Sequence, residues 1–229
     1  MGNGRPADRA PDTIRVRQLR RSQKLDLDGP TGALSVTVVP ELSGDRLDIN
    51  DQSAVHSAGA CLAHIHRVLG SVQHDPALAS PHPAIIRERI EEWLATQDRG
   101  YAPDASRRLE TLLSGLLELE DEPQLVHNDF RAANILIRHS QVVGVLDFDE
   151  VACEHRVSDL AKASVYLGTR FTNWRPIPPA ARHMLRAGYE SAWPLSPAEA
   201  HWFDVLVFVG HAIMAIPSES DTAGWACVL

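Results

Sequence analysis

The sequence predicts an α+β protein in which a short β-rich start precedes a mostly helical body. Three observations carry this. Apolar residues alternate before residue 40; they recur at steps of three and four from residue 50; and three short apolar runs surround a polar loop between residues 124 and 148. A length of 229 residues allows one domain with a small extra lobe.

Residues 1–13 are Gly-, Pro-, Asn-, Asp- and Arg-rich without a period, and read as a disordered tail. Residues 14–44 read as strands and a connecting segment. Ile14 and Val16 begin an alternation, Leu25 and Leu27 alternate with Asp26 and Asp28, and Asp28-Gly29-Pro30 is a turn signal. Leu34, Val36 and Val38 form a second alternating strand that stops at Pro40. The helical body is expected over 45–229. Val55, Ala58, Leu62, Ile65 and Leu69 make the stripe of a first helix, capped by Asn50 or Asp51 and closed by Gly70. A second helix carries Ile85, Ile86, Ile90, Trp93 and Leu94 and stops near Gly100; a third begins at Pro103-Asp104 and carries Leu109, Leu112, Leu113, Leu116 and Leu117. Strands are expected over 124–126, 135–137 and 142–148, then helices around 159–168, 179–190 and 197–215. No internal repeat is visible.

Charge and cysteine usage exclude several classes. The 30 acidic and 22 basic residues give a net charge of −8, which argues against nucleic acid or an anionic membrane as the main partner. Lys24 and Lys162 are the only lysines. Cys61, Cys153 and Cys227 are far apart with no CxxC spacing, so free thiols in a reducing cytoplasm are expected rather than a disulfide framework or a zinc site. The opening MGNGRPADRAPD lacks the apolar core of a secretory signal. The longest apolar stretch, 203–217, falls short of the ~20 residues a spanning helix needs and is interrupted by Asp204 and His211. The ending Cys227-Val228-Leu229 is one residue short of a prenylation box.

The chemistry concentrates in one stretch. Leu125-Val126-His127-Asn128-Asp129-Phe130-Arg131-Ala132-Ala133-Asn134-Ile135-Leu136-Ile137 is followed by Val145-Leu146-Asp147-Phe148-Asp149-Glu150. The pattern is strand, polar loop, strand, turn, strand. The loop presents Asp129 and then Asn134, and the third strand delivers Asp147 at its end. A carboxylate can accept a hydroxyl proton as a nucleophile forms. An Asn carbonyl and a second carboxylate are hard oxygen ligands suited to Mg²⁺. Together these are the parts for phosphoryl transfer, where catalysis is mostly positioning and charge neutralisation.

These motifs resemble those of the aminoglycoside phosphotransferase and choline kinase family, whose members share the protein-kinase-like fold. The family pattern is His-Gly-Asp, an Asn five residues later, an Ile-Asp-Phe strand end, and an Asp-Leu-Ala that opens a helix. Here the counterparts are His127-Asn128-Asp129, Asn134, Leu146-Asp147-Phe148 and Asp159-Leu160-Ala161. The loop from Asp129 to Asn134 also resembles that of some protein tyrosine kinases. However, Asp147-Phe148 is followed by Asp149 rather than Gly, and no Ala-Pro-Glu is present, so the small-molecule family is preferred. The resemblance covers roughly residues 34–215 and is specific over 125–161.

The resemblance implies transfer of the ATP γ-phosphate to a hydroxyl of a small molecule, with Mg²⁺ and ATP as cofactors. It makes Asp129 the catalytic base, Asn134 and Asp147 the magnesium and nucleotide contacts, and His127 a brace for the loop. Arg131 reaches the transferring phosphate or forms a surface salt bridge. Asp159 hydrogen-bonds the loop or is a plain helix cap. Asp149 contacts a second metal or a substrate amine, or is simply solvated. The stretch 38–44 matches the family hinge, with Glu41 and Leu42 facing the adenine.

The family's nucleotide lobe has a glycine-rich hairpin and a strand lysine ahead of that hinge. Here about forty residues precede it, Gly2 and Gly4 lack flanking strands, and Lys24 sits near a turn. Arg15 or Arg17 is the substitute the sequence offers. Two expectations follow: a small-molecule kinase with a shortened nucleotide lobe, or a crippled or split kinase-like protein that binds a ligand or partner, with a second chain completing the lobe. Weak or absent ATP turnover by the chain alone is the result expected.

Of the histidines, His64 and His66 point about 200° apart on a helix and cannot share an ion, so surface or core histidines are expected, as for nearby His56 and His74. Trp174, Trp193, Trp202, Tyr166 and Tyr189 are expected to pack the late helices, and Glu150, Glu154 and Asp204 would suit an amine-bearing substrate. Aminoglycoside, macrolide, choline-like amine, homoserine and sugar all remain open.

Overall fold

A computed structural model describes residues 23–29, 32–38, 41–73, 83–96, 103–170 and 177–209. The expected tail over 1–13, the alternation at Ile14 and Val16, and the residues Gly2, Gly4, Arg15 and Arg17 lie outside them. The chain divides into two compact units, Met1–Leu42 and Ser43–Leu229.

The first unit holds an antiparallel hairpin of β1 (Gln23–Gly29) and β2 (Gly32–Val38). Its register pairs Leu25 with Val36 and Leu27 with Leu34. The register closes on Gly29 opposite Gly32, and Gly32 adopts a φ of 132° that favours glycine. Lys24 is placed within β1, opposite Thr37, rather than near the turn.

The second unit begins with β3 (Asp45–Arg46) and then α1 (Gln52–Leu69). Asp51 caps α1: its Oδ1 accepts the Ala54 N–H at 3.0 Å. Its other oxygen accepts the Ser140 hydroxyl at 2.7 Å, which ties the start of α1 to a distant turn. These bonds, the Ser140 hydroxyl foremost, hold the Asp51 carboxyl below its ordinary range. Next come α2 (Pro83–Thr96) and α3 (Pro103–Ser114). Helix α3 ends before the predicted stripe does, leaving Leu116 buried and Leu117 exposed beyond it.

The strands that follow are β4 (Gln124–Val126), β5 (Ile135–Arg138), β6 (Gln141–Val145) and β7 (Ala152–Glu154). One antiparallel sheet has the order β3-β5-β6, and β4 pairs with β7. Strand β6 stops at Val145, so the strand expected to reach Phe148 is shorter. Its apolar run continues, but Leu146 and Phe148 are partly exposed in an irregular segment.

The unit ends with α4 (Arg156–Tyr166), α5 (Pro179–Ala192) and α6 (Pro197–Val209). Val55, Leu62, Leu160, Leu185, Trp202 and Phe203 are among the residues of one continuous core. Helices α1 and α5 approach closely through paired glycines. A Cβ on Gly59 would run into the Leu185 carbonyl, and one on Gly188 would run into the His56 carbonyl. That approach brings Tyr189, the residue after Gly188, against His66 near the end of α1. Neither Cys61 nor Cys153 takes part in a disulfide among the described residues, and burial pushes the Cys61 thiol up to about 11, so it stays protonated. No described helix is long and apolar enough to cross a membrane.

Candidate active site

The polar loop leaves β4 at His127. Asn128 then turns through the left-handed region with a φ of 64°. Asparagine tolerates this conformation better than most residues that carry a Cβ, which accounts for Asn128 where the resembled pattern has glycine. The side-chain oxygen of Asn128 accepts the Lys162 ammonium at 2.8 Å, so one of the two lysines reaches across from α4 to the loop.

The turn places Asp129 among donors. Arg131 Nε donates to both carboxylate oxygens, at 2.8 and 3.0 Å. Asn134 Nδ2 donates to Oδ2 at 2.8 Å and to the Asp129 main-chain carbonyl at 3.0 Å. Arg131 is anchored in turn by Nη1, which donates to the Arg170 carbonyl at 2.9 Å. In the structure Arg131 therefore forms an ion pair with Asp129 itself.

His127 is wholly buried. Its Nε2 lies 3.0 Å from the Leu146 carbonyl, and its Nδ1 accepts the Asp129 N–H at 3.2 Å. A carbonyl can only accept, so the ring carries its hydrogen on Nε2 and is neutral. Burial lowers its affinity for a second proton, and this outweighs the attraction of Asp159, Asp129 and Asp147. The ring packs edge-on against Phe130 and, with centroids 4.6 Å apart, against Phe148.

A second arm carries Asp147. The Leu146 N–H donates to the Asn134 carbonyl at 2.8 Å, extending the pairing of β5 and β6 by one step. Asp147 follows with a φ of 63° and an exposed carboxylate that has no hydrogen bond among the described residues. It lies two residues past the strand end, in a turn. Asp149 and Glu150 beyond it are exposed. The chemistry of this donor set suits a hard cation: the Asn134 nitrogen is committed to Asp129, which leaves its amide oxygen, and the Asp147 carboxylate adds a second oxygen. No group of three His, Cys, Asp or Glu able to hold a metal occurs among the described residues.

Asp159 supports the loop from beneath. Helix α4 begins at Arg156 with His155 as its cap, so Asp159 sits inside the first turn and is not the cap. Its Oδ2 accepts the His127 N–H at 3.0 Å, and its Oδ1 accepts the Asn128 N–H at 3.1 Å. His66 Nε2 lies 2.9 Å from the same Oδ2. Burial pushes this carboxyl up, but the hydrogen bonds from His66 and the Asn128 N–H bring it down.

His66 was legible only as a surface or core histidine. It is the buried one; His64 and His56 are half-buried, and His74 lies outside the described residues. Its signal was its place four residues after Leu62 on the apolar stripe of α1, where a polar side chain needs a buried partner. Among the late aromatics, Tyr189 and Trp202 are buried, Trp193 stacks under the Arg156 guanidinium at 4.1 Å, and Trp174 lies outside the described residues. Glu154 is half-buried in β7, and Asp204 faces Arg186 at 3.4 Å. Glu41 is exposed and Leu42 half-buried, both in the first unit.

Among known proteins, the model of the phosphotransferase enzyme family matches residues 8–201. Three solved structures are similar to the chain at low identity. The macrolide 2'-phosphotransferase MphH from Brachybacterium faecium is 18% identical with a TM-score of 0.49, over 77% of this chain and 60% of that one. The aminoglycoside phosphotransferase APH(2'')-Ib, solved with ADP, is 14% identical with a TM-score of 0.52, over 88% and 72%. An aminoglycoside phosphotransferase from Alicyclobacillus acidocaldarius is 14% identical with a TM-score of 0.53, over 85% and 65%. The chain thus spans 60% of the length of the first and 65% of the last. No curated protein matches it. The last two structures identify the fold as kinase-like, and the family match over most of the sequence settles membership: the chain belongs to the phosphotransferase enzyme family.

Proposed function

We propose that the protein transfers the γ-phosphate of ATP to a hydroxyl group of a small molecule, with Mg²⁺ as the metal. The observation that carries this is the Asp129 carboxylate, held on both oxygens by Arg131 and Asn134 beside an arm that presents Asp147. In the proposed reaction Asp129 takes the proton from the acceptor hydroxyl. The freed oxygen bonds to the γ-phosphorus, the bond to the bridging oxygen breaks, and ADP leaves. Asn134 and Asp147 would hold the Mg²⁺, which when bound neutralises charge on the phosphate oxygens. Arg131 keeps the base aimed and brings a positive charge beside it. Neutral His127 spans from Asp129 to Leu146 and keeps the two arms in register.

The same reading assigns the adenine contact to Glu41 and Leu42, and a cytoplasmic location to the chain. The ADP bound by the aminoglycoside phosphotransferase APH(2'')-Ib supports nucleotide use in this fold. A second chain has no support among these findings and is not part of the proposal.

The test is phosphate transfer from Mg-ATP by the purified chain to a panel of aminoglycosides, macrolides and amino alcohols, followed by ³¹P NMR. Turnover of at least one acceptor, cut by about 100-fold or more in Asp129→Ala, is the expected result. Absence of any turnover with every acceptor, together with no Mg-ATP binding, would return the chain to the crippled reading.

A further inference from the structure

We propose that His66 is a positioning residue for the catalytic loop, acting by fixing the Asp159 carboxylate that holds the His127 and Asn128 amides. The role in turnover rests on the phosphotransfer reading; the role in holding the loop does not.

The bonds form one directed chain. Arg156 Nη2 donates to Glu199 Oε2 at 2.6 Å and to the Pro194 carbonyl at 3.0 Å. Arg156 Nη1 donates to the Tyr189 hydroxyl oxygen at 3.3 Å. That leaves the single phenol hydrogen for His66 Nδ1, 2.8 Å away. Burial pushes the Tyr189 phenol up, so it keeps that hydrogen. With Nδ1 accepting, the hydrogen of His66 sits on Nε2 and points at Asp159. His66, Tyr189, Asp159, Arg156 and Glu199 are all at most 6% exposed, so water does not compete for these bonds.

What this does to the loop follows from the lone pairs. Asp159 Oδ2 takes both the His66 and His127 hydrogens, which fixes the plane of the carboxylate and aims Oδ1 at the Asn128 N–H. Asn128 is held in the left-handed region, and the next residue is Asp129. Without the His66 donor the two amides alone hold the carboxylate, and the left-handed turn is anchored less firmly. A second tie acts on the same segment: Gln124 Nε2, at the start of β4, donates to the His66 carbonyl at 2.6 Å. The chain thus links α1, α4, α5 and α6 to the loop.

The test separates positioning from ordinary core packing by two isosteres. In His66→Gln the amide nitrogen falls near the place of Nε2 and keeps a donor for Asp159. In His66→Asn the shorter amide stays on the Tyr189 side and gives Asp159 no donor. Each leaves one partner unpaired, so packing alone predicts similar losses in both. With Mg-ATP hydrolysis as the probe, His66→Gln is expected to keep its kcat within about 5-fold, and His66→Asn to lose about 100-fold in kcat at nearly unchanged KM. Amide hydrogen exchange at His127 and Asn128 is expected to quicken in His66→Asn and stay slow in His66→Gln. Equal losses of kcat in step with Tm, or exchange unchanged in both variants, would overturn the proposal. If either isostere does not fold, Tyr189→Phe serves: it removes the hydrogen that orients His66 while leaving the ring in place, and is expected to quicken exchange at Asn128; unchanged exchange there overturns the proposal. If the wild-type chain hydrolyses no Mg-ATP, the acceptor panel decides the phosphotransfer reading, and the exchange measurements alone decide the positioning role.

Discussion

Asp129 and Asp147 lie on neighbouring arms of one strand–loop–strand unit, yet the protein treats them in opposite ways. Asp129 is bonded by a guanidinium and an amide on its side chain, and its loop is bonded from below by a buried carboxylate. Asp147 is exposed, sits in a left-handed turn, and has no hydrogen bond to its carboxylate among the described residues. A base must be aimed before reaction, so its side chain is fixed by protein. A cation ligand acquires its partner on binding, so protein bonds to it would compete. The difference is what the proposed division of labour requires.

The comparison can be broken from either side. Asp147→Ala should cost the most in nucleotide binding, lowering Mg-ATP affinity at least about 10-fold. Because no protein bond is lost, its Tm should stay within about 2 °C of wild type by a thermal scan. A larger fall in Tm would show that Asp147 is structural.

Gly188→Ala attacks the frame beneath the base instead. The added methyl meets backbone of α1, which cannot move aside cheaply, so about 3 kcal/mol of stability should be lost in urea unfolding. An unchanged midpoint would show that the two helices can part without cost.

Acid should weaken the base arm through His127. The folded state holds His127 below its ordinary value, so the unfolded chain takes up a proton there first. The stability from neutral His127 is complete above about pH 6.5 and declines as the pH falls below it. Asp159, also held low, adds a contribution that is present above about pH 4 and declines below that. Tm should therefore fall steadily from pH 7 to pH 4, and a flat profile between pH 7 and pH 5 would contradict the burial argument for His127.

Lys162→Met should have the smallest effect. The Lys162–Asn128 bond is exposed, and such a contact contributes roughly 0.5 kcal/mol, so turnover should change by no more than about 3-fold. A much larger loss would make Lys162 a part of the reacting site.

How much of this was legible in the sequence depends on distance along the chain. The Asp129, Asn134 and Asp147 motifs were legible because they are nearly contiguous and bracketed by apolar strands. His66 was not, because its partners Asp159 and Tyr189 lie 93 and 123 residues away and no local pattern joins them. Strands β3 and β7, of two and three residues, are too short to show a period. The run through Phe148 read as one strand because apolar character continued past Val145, where Leu146 and Phe148 flank the Asp147 turn instead of filling the core.

The most direct test sets the two aspartates side by side. Mg-ATP affinity by calorimetry and turnover are measured for Asp129→Asn and Asp147→Asn under the same conditions. The division of labour predicts that Asp129→Asn binds Mg-ATP like wild type while turnover falls about 100-fold or more, whereas Asp147→Asn loses affinity first. Wild-type turnover in Asp129→Asn, or equal losses of affinity in both variants, would contradict it.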